Sequence, residues 1–315
     1  MCRSDDLKTD ATLRSPYYDY GEWMRKRFPF KVQKLPIDGG FSCPNRDGRI
    51  GRGGCIFCDN RTFIPRYCQP ERSVRQQIED GKRFFGQKYP DMRYMAYFQS
   101  YSATYAPISI LRQRYESALN QTDIVGLIIA TRPDCLGEDV LDLLQDLSHR
   151  THIEVEIGVE TTHDRTLTRI NRGHTWQQAS DAILRTASRD LKVCTHLILG
   201  LPGESQADII ESARTISPLP ISSVKLHQLQ ILRGTRMALE YAQHPEDFLL
   251  FPTAQDYVAM LGKFLKALRP DIKVERIVSS APQDILIAPR WGLKPSEIRR
   301  MLEDEFRSGE GRCES

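Results

Sequence analysis

Short β-rich runs alternate with helix-length segments along almost the whole chain. Candidate strands lie at residues 31–35, 94–99, 125–131, 153–159, 193–199 and 223–230, and candidate helices at 73–88, 108–120, 138–149, 175–190, 205–217 and 253–268. A helix between two strands returns the chain to the same edge, so the strands run parallel and the helices cover the sheet. Six such units make the chain α/β, either a doubly wound sheet or a partial (β/α)6 barrel. A late run at 273–278 offers one more strand and 293–306 one more helix. Soft boundaries near residues 35 and 269 divide the chain into an N-terminal extension (1–35), a core (36–269) and a C-terminal extension packed on the core (270–315). The apolar run at 124–130 is far short of the ~20 residues a membrane helix needs, and residues 1–10 are polar and acidic, so a cytoplasmic protein is expected.

One candidate strand breaks the pattern of a buried sheet. In residues 153–160, Ile153, Val155, Ile157 and Val159 take one face, and Glu154, Glu156, Gly158 and Glu160 the other. A strand covered on both sides should be apolar on both. Acidic residues on one face therefore point to a polar cavity, or to a wet edge strand. In a barrel, ligands meet the C-terminal ends of strands, which singles out Glu160 and leaves Glu154 deeper and structural.

Eight cysteines in 315 residues are too sparse for a disulfide scaffold. Three of them, Cys43, Cys55 and Cys58, form a C-x11-C-x2-C pattern in the glycine-rich loop FSCPNRDGRIGRGGCIFCDN after the first strand. Two cysteines separated by two residues reach one metal centre together. A structural zinc needs a fourth ligand, for which Cys68 and Asp59 are nearest. A cubane iron–sulfur cluster on three cysteines leaves one iron open. No Ser-His-Asp order, Walker loop, HExxH helix or G-x-G-x-x-G appears. Cys194 with His196, and Lys225 with His227, share strand faces and are candidates to handle substrate protons or to be satisfied core residues. The net charge of +3 hides a gradient: residues 14–75 hold thirteen Lys and Arg against six Asp and Glu. Aromatics interleave with Arg25, Lys26, Arg27 and Lys31, a pattern suited to phosphates and bases. Because this segment flanks the cysteine loop, Arg25, Lys26, Arg27, Arg46, Arg49 and Arg52 are expected near the cavity mouth.

The cysteine loop after the first strand of a six-fold β/α pattern resembles the radical S-adenosylmethionine (SAM) superfamily, although the first gap is longer than the usual C-x3-C-x2-C. The stretches FQSYSATYAP (98–107), IATRPDCL (129–136), EIGVETTHDRTLTRINRGHT (156–175), THLILGLPGE (195–204) and IAPRWG (287–292) resemble the branch of the Elongator catalytic subunit, and within it the YhcC-like group. The resemblance covers roughly residues 20–292, and that subunit's acetyltransferase domain has no counterpart here. It implies a partial (β/α)6 TIM-like barrel and a [4Fe–4S] cluster on Cys43, Cys55 and Cys58, with SAM on the open iron. Reductive cleavage would release a 5′-deoxyadenosyl radical that takes hydrogen from a substrate, tRNA being the favoured class. Gln99 and Ser100 stand where the superfamily often has a GGE-like motif for the SAM amine. Glu160 suits the ribose hydroxyls, and Arg172, with Arg169 as competitor, suits the SAM carboxylate. Asp134 is either a site residue or a cap of the following turn, and the GLPGE turn approaches the adenine by backbone. The implied partner is a one-electron reductant such as flavodoxin or ferredoxin. The alternative to this enzyme is a zinc-containing nucleic-acid-binding module without catalysis.

Overall fold

The computed structural model describes residues 16–310 apart from 63 and 87–90. The readings made on residues 1–10, Cys2 and Cys313 lie outside the described residues, as do positions 87–88 of the first expected helix. A short helix α1 (Tyr20–Arg27) precedes strand β1 (Val32–Ile37). There follow α2 (Val74–Gly86), β2 (Arg93–Phe98), α3 (Ile108–Leu119), β3 (Ile124–Thr131), α4 (Glu138–Ser148), β4 (His152–Glu160), α5 (Asp164–Arg169), α6 (Trp176–Ala187), β5 (Lys192–Leu199), α7 (Gln206–Ile216) and β6 (Ser223–Gln228). The chain ends with β7 (Ile231–Leu232), α8 (Arg236–Gln243), α9 (Ala254–Ala267), β8 (Lys273–Arg276), β9 (Leu286–Ala288) and α10 (Pro295–Glu310). Seven strands form one sheet in the order β1-β2-β3-β4-β5-β6-β8, every neighbouring pair parallel. This is a curled half-barrel, as the α/β alternation implied, with β8 as a seventh strand. The expected run 223–230 stops at Gln228, and its remainder feeds the small antiparallel pair of β7 with β9.

Helix starts follow local chemistry. Thr175, Ser205 and Thr253 each close a capping box with Gln178, Asp208 and Asp256, which fixes where α6, α7 and α9 begin. The apolar faces of the helices meet the outer face of the sheet in one core containing Leu35, Phe98, Leu127, Val155, Val193 and Leu226. The inner face is different. Met95, Tyr97 and Ile128 form a separate small cluster against Met24 and Phe28. Helix α1 therefore stands at the N-terminal ends of the strands: Trp23 and Phe28 both pack on His152, the first residue of β4, with ring centroids 6.1 Å apart in each pair. The Tyr20 hydroxyl donates to Glu154 at 2.9 Å.

The same segment spans the gap between the two edge strands. The amide of Val274 in β8 donates to the carbonyl of Tyr18 at 2.8 Å. Lys34 of β1 reaches Glu275 of β8 at 2.6 Å. The base of the half-barrel is thus shut by side chains and by α1. This corrects one expectation: Arg25, Lys26 and Arg27 are exposed on α1, at the end of the barrel opposite the cysteine loop. Sequence proximity to that loop was misleading because β1 carries the chain from one end of the barrel to the other.

Candidate active site

The cysteine loop leaves the C-terminal end of β1 and is tied down by backbone. Arg46 and Asp47 amides donate to the Cys43 carbonyl at 2.8 and 3.2 Å, and the Cys58 amide to the Cys55 carbonyl at 3.1 Å. The buried Asn45 side chain donates to the Asn171 carbonyl at 2.6 Å, and Asn171 Nδ2 to the Gly54 carbonyl at 2.8 Å. The loop is thereby fixed against the Asn171-Arg172-Gly173 turn. Cys43, Cys55 and Cys58 open onto one cavity of about 170 Å³, whose lining includes Gln99, Arg132, Glu160 and Arg172 above and Tyr97, Glu156, His196, His227 and Arg276 below. Burial and the neighbouring Cys55 thiol push Cys58 up to about 12, while the guanidiniums of Arg46 and Arg172 pull the other way.

Glu160 sits past a bulge in β4 with φ of +67°. That left-handed conformation is uncommon outside glycine and re-aims the side chain where the strand ends. It brings Glu160 within 3.2 Å of Arg172 Nη2. Arg172 is buried and fully engaged: Nη2 donates to the Gly158 carbonyl at 2.7 Å, Nε to His174 Nε2 at 3.0 Å, and Nη1 to Cys55 Sγ at 3.6 Å. Gly158 has to be glycine, because a Cβ there would lie 2.6 Å from Arg172 Nη2 and 2.8 Å from a Glu160 oxygen.

The other expected residues separate clearly. Gln99 lines the cavity, whereas Ser100 is buried and is not part of the lining. Arg169 pairs with Glu240 away from the cavity. Asp134 makes no cap; it pairs with Arg132 at 2.9 Å. Arg132 is 2% exposed, lines the cavity, and its Nη1 has no hydrogen-bond partner. Reading the strands missed Arg132, although its place at the end of β3 is the position where barrels put ligand contacts. Cys68 donates to the Pro36 carbonyl at 2.9 Å and does not line the cavity.

Beneath the cavity lies a buried charge network. Glu156 takes Lys34 at 2.9 Å and also Lys225 on one oxygen, and Tyr97 and His196, the latter at 3.0 Å, on the other. Lys225 and Lys34 share Glu275, and Lys34 also approaches Glu154 at 3.7 Å. Burial pushes the Glu156 carboxyl up, but the ammoniums of Lys225 and Lys34 outweigh it and hold the group well below the usual carboxylate range. Glu154 and Glu156 with Cys194 and Glu275 are close enough to suggest a cation site; the two lysine ammoniums already supply the cations there.

The donor set discriminates between metals. A single tetrahedral zinc draws its thiolates to within about 3.8 Å of one another, from a Zn–S bond of about 2.3 Å. Among the described residues, the groups whose ligand atoms all fall within 4.8 Å of one another do not include the three cysteines together. Three thiols on one cavity, with Cys68 turned onto Pro36 and outside the lining, are the donor set that a cubane with one open iron would use.

The radical SAM superfamily profile matches residues 46–216, more than half of the chain, and the radical SAM C-terminal domain profile matches residues 221–308. The chain belongs to the radical SAM superfamily. Protein YhcC of Escherichia coli K12 is 38% identical over 273 residues, 86% of each chain. At greater distance, a tRNA uridine(34) acetyltransferase of Dehalococcoides mccartyi is 26% identical over 185 residues, 57% of this chain and 38% of that protein. Among solved structures, archaeal Elp3 of Methanocaldococcus infernus superposes with a TM-score of 0.65 at 15% identity, covering 90% of this chain and 64% of that one. This likeness is one of fold. The radical SAM half-barrel seen here is that of an enzyme whose cofactors are a [4Fe–4S] cluster and SAM.

Proposed function

We propose that Cys43, Cys55 and Cys58 hold the [4Fe–4S] cluster and that Gln99, Glu160 and Arg132 form the SAM-binding surround, with Arg172 positioning both Glu160 and Cys55 and Ser100 set behind the wall. The observation that carries this reading is that the three thiols, Arg132, Arg172 and Glu160, from separate elements, line one cavity. When bound and reduced by a one-electron donor, the cluster supplies the electron that splits SAM and yields a radical able to take hydrogen from substrate. The chain's own residues do the orienting. Glu160 offers two acceptor oxygens at the strand end, and Arg132 a free donor suited to a carboxylate.

RNA is the substrate class the surface favours. Arg46, Arg49 and Arg52 are exposed on the cysteine loop. Arg46 lies 5.4 Å over the Tyr101 ring and Arg49 5.6 Å over Tyr105. Guanidiniums beside aromatic rings suit phosphates and bases, and a tRNA-modifying enzyme is among the relatives.

The test is anaerobic reconstitution with iron and sulfide. Each of Cys43→Ala, Cys55→Ala and Cys58→Ala should lose most iron, and Cys68→Ala should keep it. With dithionite and SAM, the wild-type chain should form 5′-deoxyadenosine. Equal iron loss in Cys68→Ala, or no nucleoside product from a fully loaded protein, would defeat the reading.

A further inference from the structure

We propose that the floor of the cavity is a subsite for an oxyanion, a carboxylate or phosphate on the substrate, held by His227 and Arg276 beside His196. The proposal rests on the cavity being the active site. Three neighbouring strands contribute one group each. His196 on β5 is paired across the sheet with Lys225 on β6, and Lys225 with Arg276 on β8, while His227 stands two residues further along β6. All three groups line the cavity, and the two imidazole centroids are 5.6 Å apart.

What distinguishes this corner is unspent donor capacity. The other cations of the lower lumen are spent: Lys34 and Lys225 on Glu156 and Glu275. Higher up, Arg172 is committed to Glu160, and Arg132, paired with Asp134, keeps only Nη1 for the proposed SAM surround. Arg276 is solvent-exposed and pairs with no carboxylate among the described residues. His227 Nδ1 is bonded to Ser279 Oγ, and its Nε2 is buried with no partner. We assign the Ser279 hydroxyl as donor to Nδ1, which puts the ring proton on Nε2 and gives His227 an unused N–H. His196 spends its Nε2–H on Glu156, so its Nδ1 is an acceptor and the ring lines the subsite without donating to the anion. A buried donor without an acceptor is costly, and a guanidinium fork beside it matches the two oxygens of a carboxylate or phosphate. Glu156 does not fill this role, because Tyr97, His196 and the two lysines already occupy both of its oxygens.

The oxyanion has two sources, a small acid lodged in the chamber or a phosphodiester of an RNA. Succinate, inorganic phosphate and the dinucleotide UpU separate them. Each is titrated calorimetrically into the anaerobic, cluster-loaded, SAM-bound full chain. At least one should bind, with affinity falling about tenfold or more in Arg276→Gln and in His227→Phe, and staying within about threefold in Arg276→Lys. Preference for succinate assigns a small acid, and preference for UpU assigns the RNA backbone. Equal binding to wild type and Arg276→Gln, or no binding of any probe, overturns the subsite. SAM cleavage by the same wild-type preparation reports separately on the underlying assignment, so the two failures are distinguishable.

Discussion

Arg172 joins the cysteine loop to the end of β4, and its contact with Cys55 has a measurable consequence. Hydrogen bonds and charge beside the sulfurs set the potential of an iron–sulfur centre. Asn45 Nδ2, 3.8 Å from the same sulfur, adds a neutral donor to the guanidinium at 3.6 Å. Reduction adds negative charge, so a cation at Cys55 favours the reduced form. Arg172→Gln should lower the midpoint potential by about 50–100 mV, taking ~1–2 kcal/mol of lost interaction at about 59 mV per 1.4 kcal/mol for one electron. Arg172→Lys should shift it less. An electron paramagnetic resonance titration reads this directly. An unchanged potential with weakened SAM affinity would instead return Arg172 to the SAM carboxylate, the role its guanidinium suggested from sequence alone.

Strand β4 shows how far alternation reaches. The acidic face of residues 153–160 is visible in the sequence, and it does face the lumen. The barrel rule also ranked depth, with Glu160 at the site and Glu154 deeper against α1; what the pattern could not give is that Glu156 anchors a charge network drawn from other strands. The cysteine spacing was legible because metal ligation demands particular residues at particular separations. Arg132, Tyr97 and Arg276 were not, because their role comes from the curl of the sheet, which brings β2, β3 and β8 around one space. The network also predicts stability. Lys225→Met leaves Glu156 and Glu275 short of a partner and should cost about 3–5 kcal/mol, a fall in Tm of order 10 °C. A carboxyl depressed in the folded state contributes stability above its unfolded value of about 4.3, and that stability is lost as pH falls through the folded value. With Lys225 gone Glu156 is less depressed, so the variant loses less stability to acid and its deficit against the wild type should narrow as pH falls below about 4.3. Denaturation curves collected from pH 7 downward check both effects, and unchanged stability at pH 7 would remove the network from the account.

At the scale of the molecule, the two basic surfaces stand at opposite ends of the barrel, and only one adjoins the cavity. RNA binding through the cysteine loop should weaken with salt by a slope of about −0.7 per phosphate neutralised on a single strand. Replacing Arg46, Arg49 and Arg52 by Ala should flatten that slope by about two units, whereas the Arg25, Lys26 and Arg27 triple should leave it in place. Affinity measured from low to physiological salt separates the faces, and equal flattening by both triples would count against the cavity-side reading. The seal at the other end also sets an order in time. Helix α1 leaves the ribosome among the first segments, yet Tyr18 waits for Val274 and Asp19 for Arg299, 280 residues further on. At about 5–20 residues per second that is a delay of roughly 15–55 s. The base of the barrel is therefore completed only after β8 and α10 have emerged, and a chain released before α10 would leave helix α1 without its Arg299 contact.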